Sequence, residues 1–180
     1  MIQKLIRLNN GIVLIVREAK TDDAGKLIQY LKKVSGESDF LTVGTGDVKM
    51  SIKEEKDFIE KARKNKNDIF LVGVIDGTIV GVLTFQGGCK PRTRHAGVFG
   101  ITVLKGYWGL GIGSLVIETF LNWARSTNII RKIGLRVDIS NNRAIAVYKK
   151  FGFKKEGKVS RDSMINGRFR DVYIMGLEID

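Results

Sequence analysis

The chain has 180 residues, the length of one ordinary domain. A sequence near ~150 residues already buries about 70% of its unfolded surface, so residues 1–180 are expected to form a single domain. The hydrophobic content is 43%, and no apolar run approaches the ~20 residues of a membrane-spanning helix. The charge is lopsided, 31 Lys+Arg against 19 Asp+Glu for a net +12, which invites an anionic partner.

The basic residues are scattered over "KARKNK", "CKPRTR" and "YKKFGFKKEGK" with no interleaved aromatic ladder. Nucleic acid is therefore disfavoured, a solvated basic surface is preferred, and a polyanionic ligand stays open. One cysteine, Cys89, allows neither an internal disulfide nor a cysteine-based metal site, and no metal is expected. No cationic leader or cleavage site flanks "GIVLIV", so a cytoplasmic protein without membrane attachment is the simplest expectation.

Along the chain, Asn10-Gly11 between two apolar runs predicts a hairpin. Ala24, Leu27, Ile28 and Leu31 repeat at helical spacing behind Thr21, which is expected as the N-cap. Ser51 and Glu54 stand at capping-box spacing ahead of Phe58, Ile59 and Ala62, and predict a second helix. Asp76-Gly77 separates two β-rich runs, as a type I′ hairpin demands, and both strands read as buried.

Beyond the loop with the only proline, the pattern is strand, glycine turn, helix, strand, helix and two strands. Ile133, Leu135, Val137 and Ile139 alternate, predicting a strand with one apolar face. Ala144, Val147, Tyr148 and Phe151 form a helical stripe, and the tail reads as two strands joined near Asn166-Gly167. The expected class is α/β (α+β), a mixed, largely antiparallel sheet.

The stretch "VLKGYWGLGIGSLVIETFLNWA" holds four glycines between a strand and a helix whose apolar positions run from Ile112 to Ala124. The first turn of a helix has backbone N–H groups without internal partners and sits at the positive end of the peptide dipoles. Glycines there remove the Cβ atoms that would hold a bulky anion away, so this unit can take a phosphate or diphosphate. A Walker loop is excluded because "GIGS" lacks the lysine. A dinucleotide fold fits poorly because Ser114 stands at its third glycine. Coenzyme A remains, with a plain tight turn as the structural alternative.

Two motifs now carry a resemblance. "WGLGIG", Trp108 to Gly113, resembles the R/Q-x-x-G-x-G/A loop of the GNAT superfamily of acetyl-CoA-dependent N-acetyltransferases, and "NNRAIAVYKKFGF" resembles its N-x-x-A-x-x-x-Y-x-x-x-G-F run from Asn141 to Phe153. The resemblance covers Ala96 to Phe153 in detail and the element order more widely. It implies a sheet splayed at the cofactor strand and flanked by about four helices. It implies acetyl-CoA as co-substrate, a small-molecule or peptide amine as acceptor, direct transfer, and a homodimer as a common assembly.

By the same resemblance, the strand segment Ile101, Thr102 and Val103 meets the pantetheine arm. The loop Trp108, Gly109, Leu110, Gly111, Ile112, Gly113 and Ser114 takes the diphosphate, and Asn141 hydrogen-bonds the cofactor. Tyr148 is implied as general acid to the leaving thiolate, a role within reach of a phenol near the sulfur; the other reading is a core aromatic on its helical stripe. Two departures stand out. Trp108 replaces the family's Arg or Gln, shifting the cationic contact towards Lys105 or Arg143, and Val98 replaces a Glu that similar chains use as base. Glu37, Asp39 or water are then expected to handle the amine's proton, with His95 a weaker option. The alternative class is a non-catalytic coenzyme A sensor or RNA-associated basic module.

Overall fold

Asp76 and Gly77 both adopt left-handed backbone angles, φ 46° and 75°. They close the central hairpin of β3 (Ile69–Ile75) and β4 (Thr78–Gly87), with Ile75 opposite Thr78. β3 is buried along its whole length, as its uninterrupted apolar run requires. In the computed structural model, which describes residues 2–180, this hairpin lies within one eight-stranded sheet.

The other strands are β1 (Gln3–Arg7), β2 (Val13–Glu18), β5 (Ala96–Val103), β6 (Lys132–Asp138), β7 (Lys154–Ile165) and β8 (Arg168–Glu178). Their spatial order is β1-β2-β3-β4-β5-β6-β8-β7, and every neighbouring pair is antiparallel except β5 and β6. Among the described residues four α-helices flank the sheet: α1 (Ala24–Val34), α2 (Ile52–Lys64), α3 (Ile112–Ser126) and α4 (Asn142–Lys150). No helix among them is long and apolar enough to cross a membrane.

Each face of the sheet has its own core. Leu27, Tyr30 and Val34 of α1 and Ile59 of α2 pack on Phe70, Val72, Val74 and Val82. On the other face, Ile112, Val116 and Phe120 of α3 and Ile145 and Tyr148 of α4 pack on Phe85, Phe99, Ile133, Leu135 and Val137. The period-2 pattern of β6 explains the split: Ile133, Leu135 and Val137 turn to the α3/α4 face and are at most 5% exposed.

The parallel pair β5/β6 is short. Partners run from Ala96↔Lys132 to Val98↔Gly134 and stop, whereas β4 follows β5 all the way to Val103. The sheet therefore opens after Val98. Behind the opening stands an aromatic wedge, with Phe99 at 5.3 Å from Phe120, 5.6 Å from Phe153 and 5.8 Å from Tyr148, centroid to centroid. Truncating such a buried ring typically costs about 3–5 kcal/mol, so the opening is held from behind by packing where ladder hydrogen bonds end. Gly97, just before it, allows β5 to pass Phe85; a Cβ there would stand 2.4 Å from the Phe85 ring and from the Gln86 carbonyl.

Two local expectations need correction. Thr21 does not cap α1; it lies in a 3-10 turn, Thr21–Asp23, that precedes the helix. Asp23 has taken over that end, its carboxylate accepting from the Lys20 amide at 2.8 Å and from both Arg17 nitrogens at 2.7 and 2.8 Å. The first hairpin forms, with Gly11 at φ 84°, but Asn10 stays out of the left-handed region and instead accepts the Ile12 amide through its side chain at 3.2 Å. The last hairpin turns at Asn166 and Gly167, φ 51° and 74°, and the Ser51–Glu54 capping box forms in both directions. Ile139 falls just past β6 and is half-buried.

Candidate active site

The site is built at the opening between β5 and β6. The Leu104 amide bonds to Val80 O at 2.9 Å, one step beyond the Val103↔Gly81 pair. Antiparallel alternation then turns the backbone groups of Thr102 and Gly100 towards β4 and those of Phe99, Ile101 and Val103 towards the opening. Past Val98 no strand meets them there. The hydroxyl of Thr102 is engaged on the opposite face of the sheet, 2.8 Å from the phenol of Tyr30 on α1.

At the end of β5 the chain makes a 3-10 turn, Lys105–Tyr107, and enters the glycine loop. Gly109 and Gly111 take φ of 86° and 79°, and a Cβ at either would meet no atom within 4 Å. Packing does not demand glycine there; the left-handed backbone does. Gly111 is the N-cap of α3 and has no side chain to offer. The first intrahelical bond into the helix runs from Leu115 N to Gly111 O at 3.1 Å. The amides of Ile112, Gly113 and Ser114 are thus left over at the positive end of a fifteen-residue helix with no acidic residue in its first turn. This cradle fits a diphosphate. Leu110 and Ser114 line it half-buried.

Trp108 is 40% exposed yet fixed, its indole Nε1 donating to Val103 O at 2.7 Å. That bond uses one of the carbonyls facing the opening, and the guanidinium carbon of Arg143 lies 5.3 Å from the centre of the indole. Across the opening, Asn141 caps α4, its side-chain oxygen accepting the Ala144 amide at 3.1 Å. The cap explains the asparagine in local terms and leaves its amide nitrogen for a ligand.

Tyr148 is 8% exposed and packs edge-on against Phe99, with the rings 86° apart. Burial pushes its phenol up to about 12, so it stays a neutral proton donor at physiological pH. The helical-stripe reading holds, the ring being core, and the residue lies one centroid contact from Phe99, the β5 residue at which the sheet opens.

Among possible proton acceptors, Glu37 is committed, receiving the Lys105 amide at 2.6 Å and tying the end of α1 to the loop. His95 is exposed and serves through its carbonyl, which accepts from Arg131 and Lys132. Asp39 is exposed in the loop after α1, and Val98 is 56% exposed beside the opening. Cys89 is exposed beyond β4. No group of three or more His, Cys, Asp or Glu side chains that could hold a metal occurs among the described residues.

Sequence reasoning missed the far wall. Asp138 at the end of β6 is 8% exposed and binds Arg170 Nε at 2.7 Å and Ser140 Oγ at 2.6 Å. Burial pushes its carboxyl up, but Ser140 and Arg170 outweigh that and hold it below the usual range. Arg170 in turn lies over Phe40 in the loop between α1 and α2, 5.8 Å from the ring centre. A pair 32 residues apart leaves no periodic signal.

Residues 37–153 match the profile of the acetyltransferase (GNAT) family. An L-amino acid N-acetyltransferase of Escherichia coli (strain K12) is 37% identical over 109 residues, 58% of this chain and 65% of the relative, just under two thirds of that enzyme's length. An acetyltransferase of the GNAT family from Streptococcus pneumoniae superposes with a TM-score of 0.89 at 34% identity, over 93% of this chain and 99% of that one. A protein from Salmonella typhimurium, solved with its cofactor acetyl-CoA, shares the fold at a TM-score of 0.81 and 16% identity, over 93% and 94% of the two chains. With the opened sheet, the uncapped α3 and the two motifs in place, these likenesses fix the assignment: the chain belongs to the acetyltransferase (GNAT) family.

Proposed function

We propose that residues 1–180 work as one domain that moves an acetyl group from acetyl-CoA directly to a primary amine, on a small molecule or a peptide N-terminus. The observation that carries this reading is the meeting of three features at one opening. They are the backbone edge of Phe99, Ile101 and Val103, the uncapped amides of α3, and the phenol-bearing Tyr148. The Escherichia coli relative, an L-amino acid N-acetyltransferase, supports an α-amine acceptor.

The co-substrate supplies an activated acetyl thioester. The amides of Ile112, Gly113 and Ser114 hold its diphosphate, and the edge of β5 pairs with its pantetheine amides. A β5 N–H aimed at the thioester oxygen favours the charge that develops there as the amine adds. Tyr148 gives its proton to the departing sulfur. No carboxylate stands at position 98, so the amine's proton leaves through water or the substrate enters as the free base. Alignment of the two reactants in a fixed cleft provides much of the acceleration.

Thiol release from acetyl-CoA with a panel of amines and peptides, and mass spectrometry of the products, tests the reading. A gain of one acetyl group on an amine is expected. Tyr148→Phe should lower kcat by about 100-fold or more, the usual weight of a general acid, while acetyl-CoA still binds. Unchanged turnover would remove Tyr148 from this role. The valine at position 98 favours one rival, a coenzyme A sensor. Uptake of acetyl-CoA with no acetylated product from any amine would select it.

A further inference from the structure

We infer that Arg143 of α4 supplies the cationic contact to the coenzyme's diphosphate, with the Trp108 indole as the platform that aims it. This deepens the proposed cofactor site and rests on that reading. The glycine loop itself carries no cation from Trp108 to Leu115, and its first residue bears an indole.

That indole is not loose. Its Nε1 is pinned to Val103 O at 2.7 Å, which sets the ring plane beside the mouth of the loop, and the guanidinium of Arg143 lies over its face at 5.3 Å. Stacking engages the π-face of a guanidinium and leaves its in-plane N–H donors free. Elsewhere in the molecule arginines, the exposed Arg136 included, spend those donors on carboxylates: Arg17 on Asp23, Arg136 on Asp162, Arg170 on Asp138. Arg143 has no carboxylate within salt-bridge distance among the described residues and is exposed, two residues past the Asn141 cap. A planar fork of donors held over Trp108, three residues before the uncapped N-terminus of α3, matches an oxyanion pair of a diphosphate. The charge is carried by the neighbouring helix, with the tryptophan as its support.

Calorimetric titration of the full chain with coenzyme A tests this, using circular dichroism to check that each variant melts as the wild type does. Arg143→Met, which keeps an aliphatic arm, should bind about tenfold more weakly, the weight of a charge-assisted contact, and its affinity should depend less on salt. The loss should be the same with 3′-dephospho-coenzyme A, because the contact is to the diphosphate. Adding Trp108→Arg to Arg143→Met returns the charge to the loop and should recover most of the affinity. Equal binding by Arg143→Met and wild type overturns the inference. So does a loss confined to the 3′-phosphorylated ligand, or one that Trp108→Arg does not repair. A wild-type chain that takes up no coenzyme overturns the proposed function as well, which separates that failure from this one.

Discussion

The N-termini of α2 and α3 face the same physical problem and meet it in opposite ways. At α2, Ser51 accepts the Glu54 amide through its hydroxyl at 3.2 Å, and Glu54 reaches back to the Ser51 amide at 2.8 Å. The backbone amide and the hydroxyl of Ser51 hold the Glu54 carboxyl below its usual range, and a second acid, Glu55, follows in the first turn. At α3 there is a left-handed glycine, no side-chain cap and no acid in the first turn. A helix end that only had to be stable would look like α2, because an Ser, Thr, Asp or Asn cap is worth about 1 kcal/mol. The chain forgoes that at α3, the helix end proposed above to receive the diphosphate.

The largest effect expected from breaking this contrast is at Gly111. A side chain there would meet no protein atom, so its cost to folding is the left-handed backbone alone, about 1–2 kcal/mol. It would, however, stand among the amides proposed to take the diphosphate. Gly111→Val should therefore weaken acetyl-CoA binding by about 100-fold, the loss of one to two hydrogen bonds to a charged group. Calorimetry at a temperature where the variant is folded checks this. Affinity that survives would mean that the α3 end is a turn and nothing more.

Ser51→Ala is the converse, with a smaller effect on a different observable. It should cost about 1 kcal/mol of unfolding free energy and leave acetyl-CoA affinity where it was. Denaturant unfolding and calorimetry on one preparation give both numbers. A fall in affinity would show that the two helix ends are coupled and that the comparison between them is false.

Both ends could be read in the sequence because caps and turns are local. Ser51 with Glu54, Asp76 with Gly77 and the glycines before Ile112 act within a few residues, and their backbone angles follow from residue type. The misreading at Thr21 has a structural cause as well: its N-cap preference gives way to a 3-10 turn in which Asp23 binds Arg17 and the Lys20 amide together. What could not be read was pairing between distant segments. The short β5/β6 ladder, the Trp108 bond to Val103, the Glu37 tie to Lys105 and the Asp138–Arg170 pair all depend on where strands and loops are brought by the fold. Family resemblance pointed to β5 as the cofactor strand; register and hydrogen-bond alternation determine which of its backbone groups face the opening.

The smallest effect sharpens the contrast from inside α2. Having capped its amides, this helix buries Glu55 to 1% exposure and leaves Oε1 as the one buried side-chain polar atom without a partner among the described residues. Burial pushes the Glu55 carboxyl up. Below the unfolded value, about 4.3, both folded and unfolded chains carry the proton and there is no penalty. Above it the unfolded chain releases the proton while the folded chain keeps it, so stability falls with rising pH until the folded value is passed. Glu55→Gln removes that titration, so its stability should match the wild type best near pH 4 and gain on it as pH rises. Unfolding curves at intervals from pH 4 to pH 8 measure the divergence. Parallel curves would mean that the carboxyl finds a partner or water on folding, and that α2 is satisfied throughout rather than only at its cap.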